Sequence, residues 1–298
     1  MPTKTPDLAT ADTPVLRVAL CQALTRQWDL DGNTARVLDA IAEAAARGAE
    51  LAITPECALH GYGFDGVDDL AASVREAAEP TDGPRLRAVR RAARDLGIEV
   101  VLGFAERGPG DALYNSAALI DRHGEIVFVY RKVHCRDFET AGRGGVFTPG
   151  DSFHVSERSY PGGAACRVGC MICFDREVVE STRCLRALGA ELIACPLATD
   201  TTNLLAHADE ADNEMVTRVR AAENEVVIVV VNHAGRFNGG SFAVGPGGER
   251  LHQMGPDPGV HVLDIPIGVV RRSLHANPLG WMGWGYRRPD VYAPYLSR

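Results

Sequence analysis

The stretch Arg167-Val168-Gly169-Cys170-Met171-Ile172-Cys173-Phe174-Asp175 is largely apolar as far as a thiol and then turns polar. A short apolar run of this kind reads as a buried strand, predicted here over Ala165 to Cys173. Substrate sites in α/β proteins favour the ends of strands, so Cys173 falls where chemistry is expected. Working outward, the arrangement recurs twice. Glu50 to Thr54 (ELAIT) is a strand stopped by Pro55, with Glu56 directly after it. Glu125 to Arg131 is a strand that runs into Lys132, Val133 and His134.

Around these three points strand and helix patterns alternate. Pro14 to Gln22, Ile98 to Phe104, Leu113 to Asp121, Glu191 to Cys195 and Val226 to Asn232 read as strands. Ser241 to Val244, Arg250 to Gln253 and Val260 to Asp264 are shorter candidates. Helical spacing of apolar residues marks Asp31 to Arg47, Arg85 to Leu96, Val178 to Leu188 and Leu204 to Glu223. Arg122-His123-Gly124 is a hairpin-type connection. The early elements alternate βαβ and the later ones form hairpins. This predicts an α/β domain with a mixed sheet or sheets covered by helices. Residues 1–13 read as a loose polar tail without a signal-peptide core, and 14–298 as one domain. Cys135 to Ser152 is glycine-containing and too long for a simple connection, which points to a functional or a mobile loop.

The chain has 298 residues and a formal net charge of −8, which gives no electrostatic support for nucleic-acid or anionic-membrane binding. No apolar run approaches the ~18 residues of a membrane span. Eight cysteines are too sparse for a disulfide scaffold, and a reducing, cytoplasmic setting is the simplest expectation. Cys166, Cys170 and Cys173 suggest metal spacing at a glance. On a regular strand, however, Cys170 and Cys173 face opposite sides, so no metal is expected there. His207, Glu210 and Glu214 share a helical face and read as a solvated or interface stripe. Gly145 to Gly150 lacks the Lys-Ser/Thr ending of a phosphate loop. Trp281, Trp284 and Tyr286 form an aromatic patch suited to a subunit contact.

Taken singly, Glu56, Lys132 and Cys173 have bland readings: a solvated or capping carboxylate, an exposed charge and a core thiol. Together they supply the parts of an acyl-transfer machine. The thiol is the nucleophile, provided that a base or cation activates it. A carboxylate whose pKa is raised by burial can take its proton. An ammonium beside that carboxylate can stabilise an oxyanion, helped by the backbone N–H of Phe174. No metal or other cofactor is needed.

These residues stand in ordered blocks. Thr54-Pro55-Glu56 is followed by Gly61-Tyr62, and Tyr130-Arg131-Lys132-Val133-His134 comes next. Val168 to Glu177 surrounds Cys173, and Gly189 to Ile193 with Cys195-Pro196 follows. Arg220 to Asn224, Asn232 and Arg287 to Tyr292 complete the set. In these blocks the chain resembles the nitrilase (carbon–nitrogen hydrolase) superfamily, from about Val15 to Tyr295. The resemblance implies a four-layer α-β-β-α sandwich, with Glu56 as base, Lys132 as oxyanion stabiliser and Cys173 as nucleophile. It also implies a second glutamate, Glu139, which would orient Lys132 or the attacking water. The Phe147-Thr148-Pro149-Gly150 pattern lies further from Glu139 than the family leads one to expect. Two departures are Val178-Val179-Glu180 where Phe-Pro-Glu is common, and Cys135 where a leucine is usual, a change expected at the pocket wall.

Cys173-Phe174-Asp175 is similar to the amidase and carbamoylase branches, whereas nitrilases proper tend to Cys-Trp-Glu. The expected reaction is therefore hydrolysis of a small amide or N-carbamoyl compound through a thioester. A nitrilase, or a silent binding protein of the same fold, is the alternative. Arg176 would either meet a substrate carboxylate, as in the D-amino-acid carbamoylases, or pair with Glu177 or Asp175. Nothing in the sequence fixes its direction, and local pairing is the favoured reading. By analogy Phe64, His134, Phe174, Thr199 and Asn203 line the pocket. Superfamily members are usually dimers or larger, so a homo-oligomer is expected.

Overall fold

The computed structural model describes residues 14–64, 66–199, 213–276 and 283–296. The chain begins with β1 (Leu16–Gln22), α1 (Leu30–Ala46), β2 (Leu51–Ile53), α2 (Leu70–Ala77), α3 (Pro84–Leu96) and β3 (Glu99–Arg107). Then come β4 (Leu113–Ile120), β5 (Ile126–Arg131), β6 (Val155–Ser159), β7 (Ala165–Cys170), α4 (Val179–Ala187) and β8 (Leu192–Pro196). The last elements are α5 (Asn213–Asn224), β9 (Val227–Val231), β10 (Phe242–Val244), β11 (Arg250–Gln253), β12 (Gly259–Ile265), α6 (Ile267–Ala276) and α7 (Pro289–Leu296).

The strands form two six-stranded sheets, ordered β12-β1-β2-β3-β4-β5 and β11-β10-β9-β8-β7-β6. In each sheet three central strands run parallel, and antiparallel strands complete the edges. Alternation along β1 decides the layering. Leu16, Val18 and Leu20 point into a core shared with Val168, Cys170, Leu192 and Ala194 of the second sheet. Ala19 and Cys21 point the other way, into a core with Val37 and Ile41 of α1 and Leu86 and Val89 of α3. Leu185 of α4 and Ala221 of α5 are buried against the second sheet. The layers are therefore α-β-β-α, as the resemblance implied. Each fully buried Leu, Val or Ile contributes about 1.5–3 kcal/mol to that packing. A register slip of one residue in β1 would exchange its two faces.

Helix ends follow local chemistry. Asp29 caps α1, its side chain accepting from Gly32 N at 3.2 Å. Pro84 opens α3, and Gly97 closes it in the left-handed region at φ 68°. The sequence did not predict α2, which is short and capped by Asp69, nor β6, whose residues VSERS are mostly polar on a sheet edge. The strand predicted to reach Cys173 ends at Cys170 instead. Of the helix predicted over Leu204 to Glu223, the part before 213 lies outside the described residues, as do 1–13, His207, Glu210 and Trp281. Glu214 pairs with Arg250 at 3.1 Å. Trp284 packs its ring under Arg186 and Arg287, while Tyr286 is exposed.

Candidate active site

Three chain segments leave the ends of strands and meet. After β2, Thr54 spans to β3: its Oγ1 donates to Val101 O at 3.1 Å and accepts from Gly103 N at 3.0 Å. This delivers Glu56, whose N–H reaches Leu197 O, beyond the end of β8 on the other sheet, at 3.4 Å. After β5, Lys132 N donates to Asn115 O at 2.8 Å, which carries the ladder with β4 one residue further. After β7, Met171 and Ile172 lead into a single 3-10 turn over Cys173–Arg176. Cys173 sits there at φ 47°, a left-handed conformation that costs a non-glycine residue energy and that clusters at functional sites.

Glu56, Lys132 and Glu139 are wholly buried and share one set of hydrogen bonds. Lys132 Nζ donates to Glu56 Oε1 at 2.8 Å and to Glu139 Oε1 and Oε2 at 2.8 and 2.9 Å. Asn115 Nδ2 adds a bond to Glu56 Oε1 at 2.7 Å and one to Glu139 Oε1 at 3.3 Å. The Tyr62 hydroxyl donates to Glu139 Oε1 at 3.0 Å. Glu56 Oε2 is buried and has no hydrogen-bond partner among the described residues. That oxygen is a proton acceptor held in reserve. Val146 N and Phe147 N both donate to Glu139 O, at 2.9 and 2.8 Å, so the long loop folds back to fix Glu139.

The charges follow from burial. Loss of water, with the Glu139 carboxylate beside it, pushes Glu56 up to about 7 despite Lys132. Burial works against the Lys132 ammonium, yet Glu139 and Glu56 hold its pKa well above the ordinary lysine value. Burial and then Glu56 push the Cys173 thiol upward, with Lys132 opposing them. Cys173 therefore rests as a thiol, and a carboxylate near neutrality is the group suited to deprotonate it.

A cavity of about 350 Å³ opens at Cys173. Tyr62, Phe64, Phe138, Phe174 and Phe237 give it aromatic walls. Ala198, Thr199, Arg136, Arg236 and Glu177 complete the lining. Thr199 Oγ1 lies 3.7 Å from Cys173 Sγ. The expected Phe64, Phe174 and Thr199 thus border the cavity, while Asn203 lies outside the described residues.

Two further residues lie outside this lining. His134 is not part of this lining: its N–H donates to Asp175 Oδ1 at 2.8 Å and its Nδ1 lies 2.9 Å from the same oxygen, so the ring braces the turn that carries Cys173. Arg176 is not part of it either, because its side chain is wholly buried, and its carbonyl accepts from Arg220 Nε at 3.1 Å. Cys135, expected at the pocket wall, packs against the apolar cluster that includes Phe147 and Tyr62, with its thiol 3.7 Å from Lys132 O. Sequence reasoning missed Asn115, gave no role to Tyr62 and considered Asp175 only as a local partner of Arg176. A polar Asn in the apolar strand LYNSAALI was the available signal. Among the described residues, no group of three or more His, Cys, Asp or Glu is arranged to hold a metal ion.

A family model described as carbon-nitrogen hydrolase matches residues 17–273. The chain belongs to the carbon–nitrogen hydrolase family. It is 34% identical over 265 residues to an (R)-stereoselective amidase of Pseudomonas sp., covering 87% of this chain and 88% of that one. It is 30% identical over 291 residues to the human deaminated glutathione amidase, covering 92% and 83%. Among solved structures it resembles a Cys-to-Ala mutant of the amidase from Nesterenkonia sp. AN1 in complex with butyramide, with a TM-score of 0.72, 26% identity and coverage of 95% and 97%. A Glu-to-Gln mutant of that amidase, showing covalent addition of the acetamide moiety of fluoroacetamide at the active site cysteine, matches with a TM-score of 0.70, 28% identity and coverage of 90% and 98%. The nitrilase-superfamily resemblance is borne out, and this carbon–nitrogen hydrolase is an enzyme of the amidase type.

Proposed function

We propose that this carbon–nitrogen hydrolase cleaves the C–N bond of a small amide through a thioester on Cys173. One observation carries the reading: Glu56, Lys132 and Glu139 form a buried hydrogen-bonded cluster in which, among the described residues, the carboxylate oxygen without a partner belongs to Glu56, and Tyr62, which donates to Glu139, lines the same cavity as Cys173. Glu56 takes the thiol proton as sulfur bonds to the carbonyl carbon. The carbonyl oxygen becomes an oxyanion, met by Lys132 Nζ and the Phe174 N–H. Once protonated, Glu56 holds Lys132 less strongly, which frees an ammonium proton for that oxyanion. The C–N bond then breaks, and Glu56 hands its proton to the departing nitrogen. Water attacks the thioester with Glu56 again as base, and the acid leaves as the thiol re-forms. Glu139 keeps Lys132 charged and in place.

Plain amides are preferred here to N-carbamoyl compounds because the relatives and structural neighbours are named as amidases. Nitriles rank last because Phe174-Asp175 follows Cys173. Among the described residues no helix is long and apolar enough to cross a membrane. A reducing, cytoplasmic setting, supported by cysteines too sparse for a disulfide scaffold, and a homo-oligomer, supported by the family resemblance, complete the proposal. Ammonia release from parallel panels of amides, N-carbamoyl compounds and nitriles tests it. Turnover confined to amides and lost in Cys173→Ala is the expected result. Turnover of nitriles alone, or turnover that survives Cys173→Ala, would overturn it.

A further inference from the structure

The Glu56 side chain can be no better placed than the backbone that carries it. The turn after Pro55 is not regular structure, and Cys57 lies in the left-handed region at φ 48°. Its carbonyls meet two imidazoles. His233 Nε2 lies 2.7 Å from Glu56 O, and His60 Nδ1 lies 3.0 Å from Cys57 O. A carbonyl only accepts, so both nitrogens carry the proton. In His233 the other nitrogen, Nδ1, is then an acceptor, and Thr25 Oγ1 lies 2.5 Å from it. The tautomer is thus set from both sides, with the Thr25 hydroxyl donating to Nδ1 and Nε2 donating to Glu56 O.

The His233 ring is wholly buried and has little room to move. Its own carbonyl accepts from Gly239 N at 2.9 Å, and the neighbouring Ala234 N donates to Ala23 O at 3.0 Å. The ring packs 5.3 Å from Phe237, one of the cavity walls. Three distant parts of the chain are joined in this way: the exit of β1 at Thr25, the base turn at Glu56 and the exit of β9 at His233. None of these contacts touches the cavity through His233 itself.

We propose that His233 is a positioning residue: its Nε2–H, fixed by Thr25, holds the Glu56 carbonyl and so aims the Glu56 carboxylate at Cys173. This rests on Glu56 acting as the base. The chemistry gives a ranking of variants. Thr25→Val keeps the donor to Glu56 but loses the hydroxyl behind it. His233→Gln keeps an N–H that can reach the carbonyl. His233→Phe keeps the ring and loses the donor.

The test is steady-state kinetics on an amide substrate, together with the pH dependence of Cys173 alkylation by iodoacetamide, in all three variants. His233→Phe should lower kcat about a hundredfold, the scale of an ångström of misplacement at a reacting group, with KM changed far less. His233→Gln should recover most of that loss, and Thr25→Val should fall between wild type and His233→Phe. Alkylation of Cys173 should slow in the same order, because Glu56 assists it. A loss carried by KM, equal losses in Gln and Phe, or losses that merely follow the folded fraction would overturn the proposal. If His233→Phe fails to fold, the Gln and Thr25→Val variants still decide it. Amide turnover that is indifferent to Glu56→Gln would instead remove the base reading itself, a separate outcome.

Discussion

The Tyr130 hydroxyl donates to Asp175 Oδ2 at 2.6 Å, tying the strand that delivers Lys132 to the turn that carries Cys173. Asp175 also accepts from Ile172 N at 3.0 Å and His134 N at 2.8 Å, so one buried carboxylate fixes two segments from different sheets. Removing it should strand several buried donors. Asp175→Ala is expected to cost about 3–5 kcal/mol of stability, the scale for breaking a buried charged network. Tyr130→Phe should cost about 1–3 kcal/mol, because one donor to the carboxylate is lost. Urea unfolding measures both. In Tyr130→Phe, kcat should fall more than KM rises, because the hydroxyl sets geometry rather than contacting the cavity.

Glu139 raises the pKa of Glu56, after burial, by placing a second carboxylate across Lys132. Activity should therefore rise with pH along a limb centred near the Glu56 value of about 7. Glu139→Gln removes that repulsion, so the limb should move to lower pH even as kcat falls. The pH profile of kcat/KM for the two proteins checks this. A limb that stays in place or moves upward would contradict the charge assignment.

Burial lowers His60 to about 4 and His233 to about 3. Above pH ~6.5 neither the folded nor the unfolded chain protonates these rings, so they add no pH dependence. Below it the unfolded chain takes up protons that the native rings refuse. Stability should fall steadily from about pH 6.5 towards 4, read as the urea midpoint. Glu56 works in the opposite sense. Its folded pKa of about 7 lies above the ordinary 4.5, so the native state loses stability as pH rises through that window. Glu56→Gln should melt higher than wild type at pH 8, by several degrees, and lose that advantage near pH 5.

Gly103 has no room for a side chain. A Cβ there would lie 2.1 Å from Pro55 O and 3.0 Å from the Glu56 Cα. Gly145 is similar, with Glu139 C at 2.0 Å. Gly103→Ala should displace the Glu56 turn and Gly145→Ala the Glu139 loop. Each should cost roughly 1–3 kcal/mol of stability and lower kcat more than a surface Gly→Ala control. Gly255, where an added Cβ meets nothing within 4 Å, is a suitable control.

Most strands were legible because central strands of a sandwich are buried on both faces and read as continuous apolar runs. Val226 to Asn232 against the observed Val227–Val231 is one case. The overshoot at Cys173 has a cause that such runs conceal. Asp175 captures Ile172 N, and the turn forces Cys173 into the left-handed region, neither of which hydrophobicity reports. Glu56, Lys132 and Cys173 were legible because each follows a strand end. Asn115 was hidden within β4, since its partners lie 59 and 24 residues away in sequence. His134 was expected at the pocket by analogy with the family, whereas Asp175 draws it behind the turn that carries Cys173, a contact that no analogy reports.

Acid-quenched intact mass spectrometry during amide turnover, followed by peptide mapping, tests the central claim most directly. The account predicts an acyl adduct on Cys173 that hydroxylamine removes, with accumulation abolished in Cys173→Ala and slowed in Glu56→Gln. Turnover with no adduct, or an adduct on the exposed Cys184 that persists in Cys173→Ala, would contradict it.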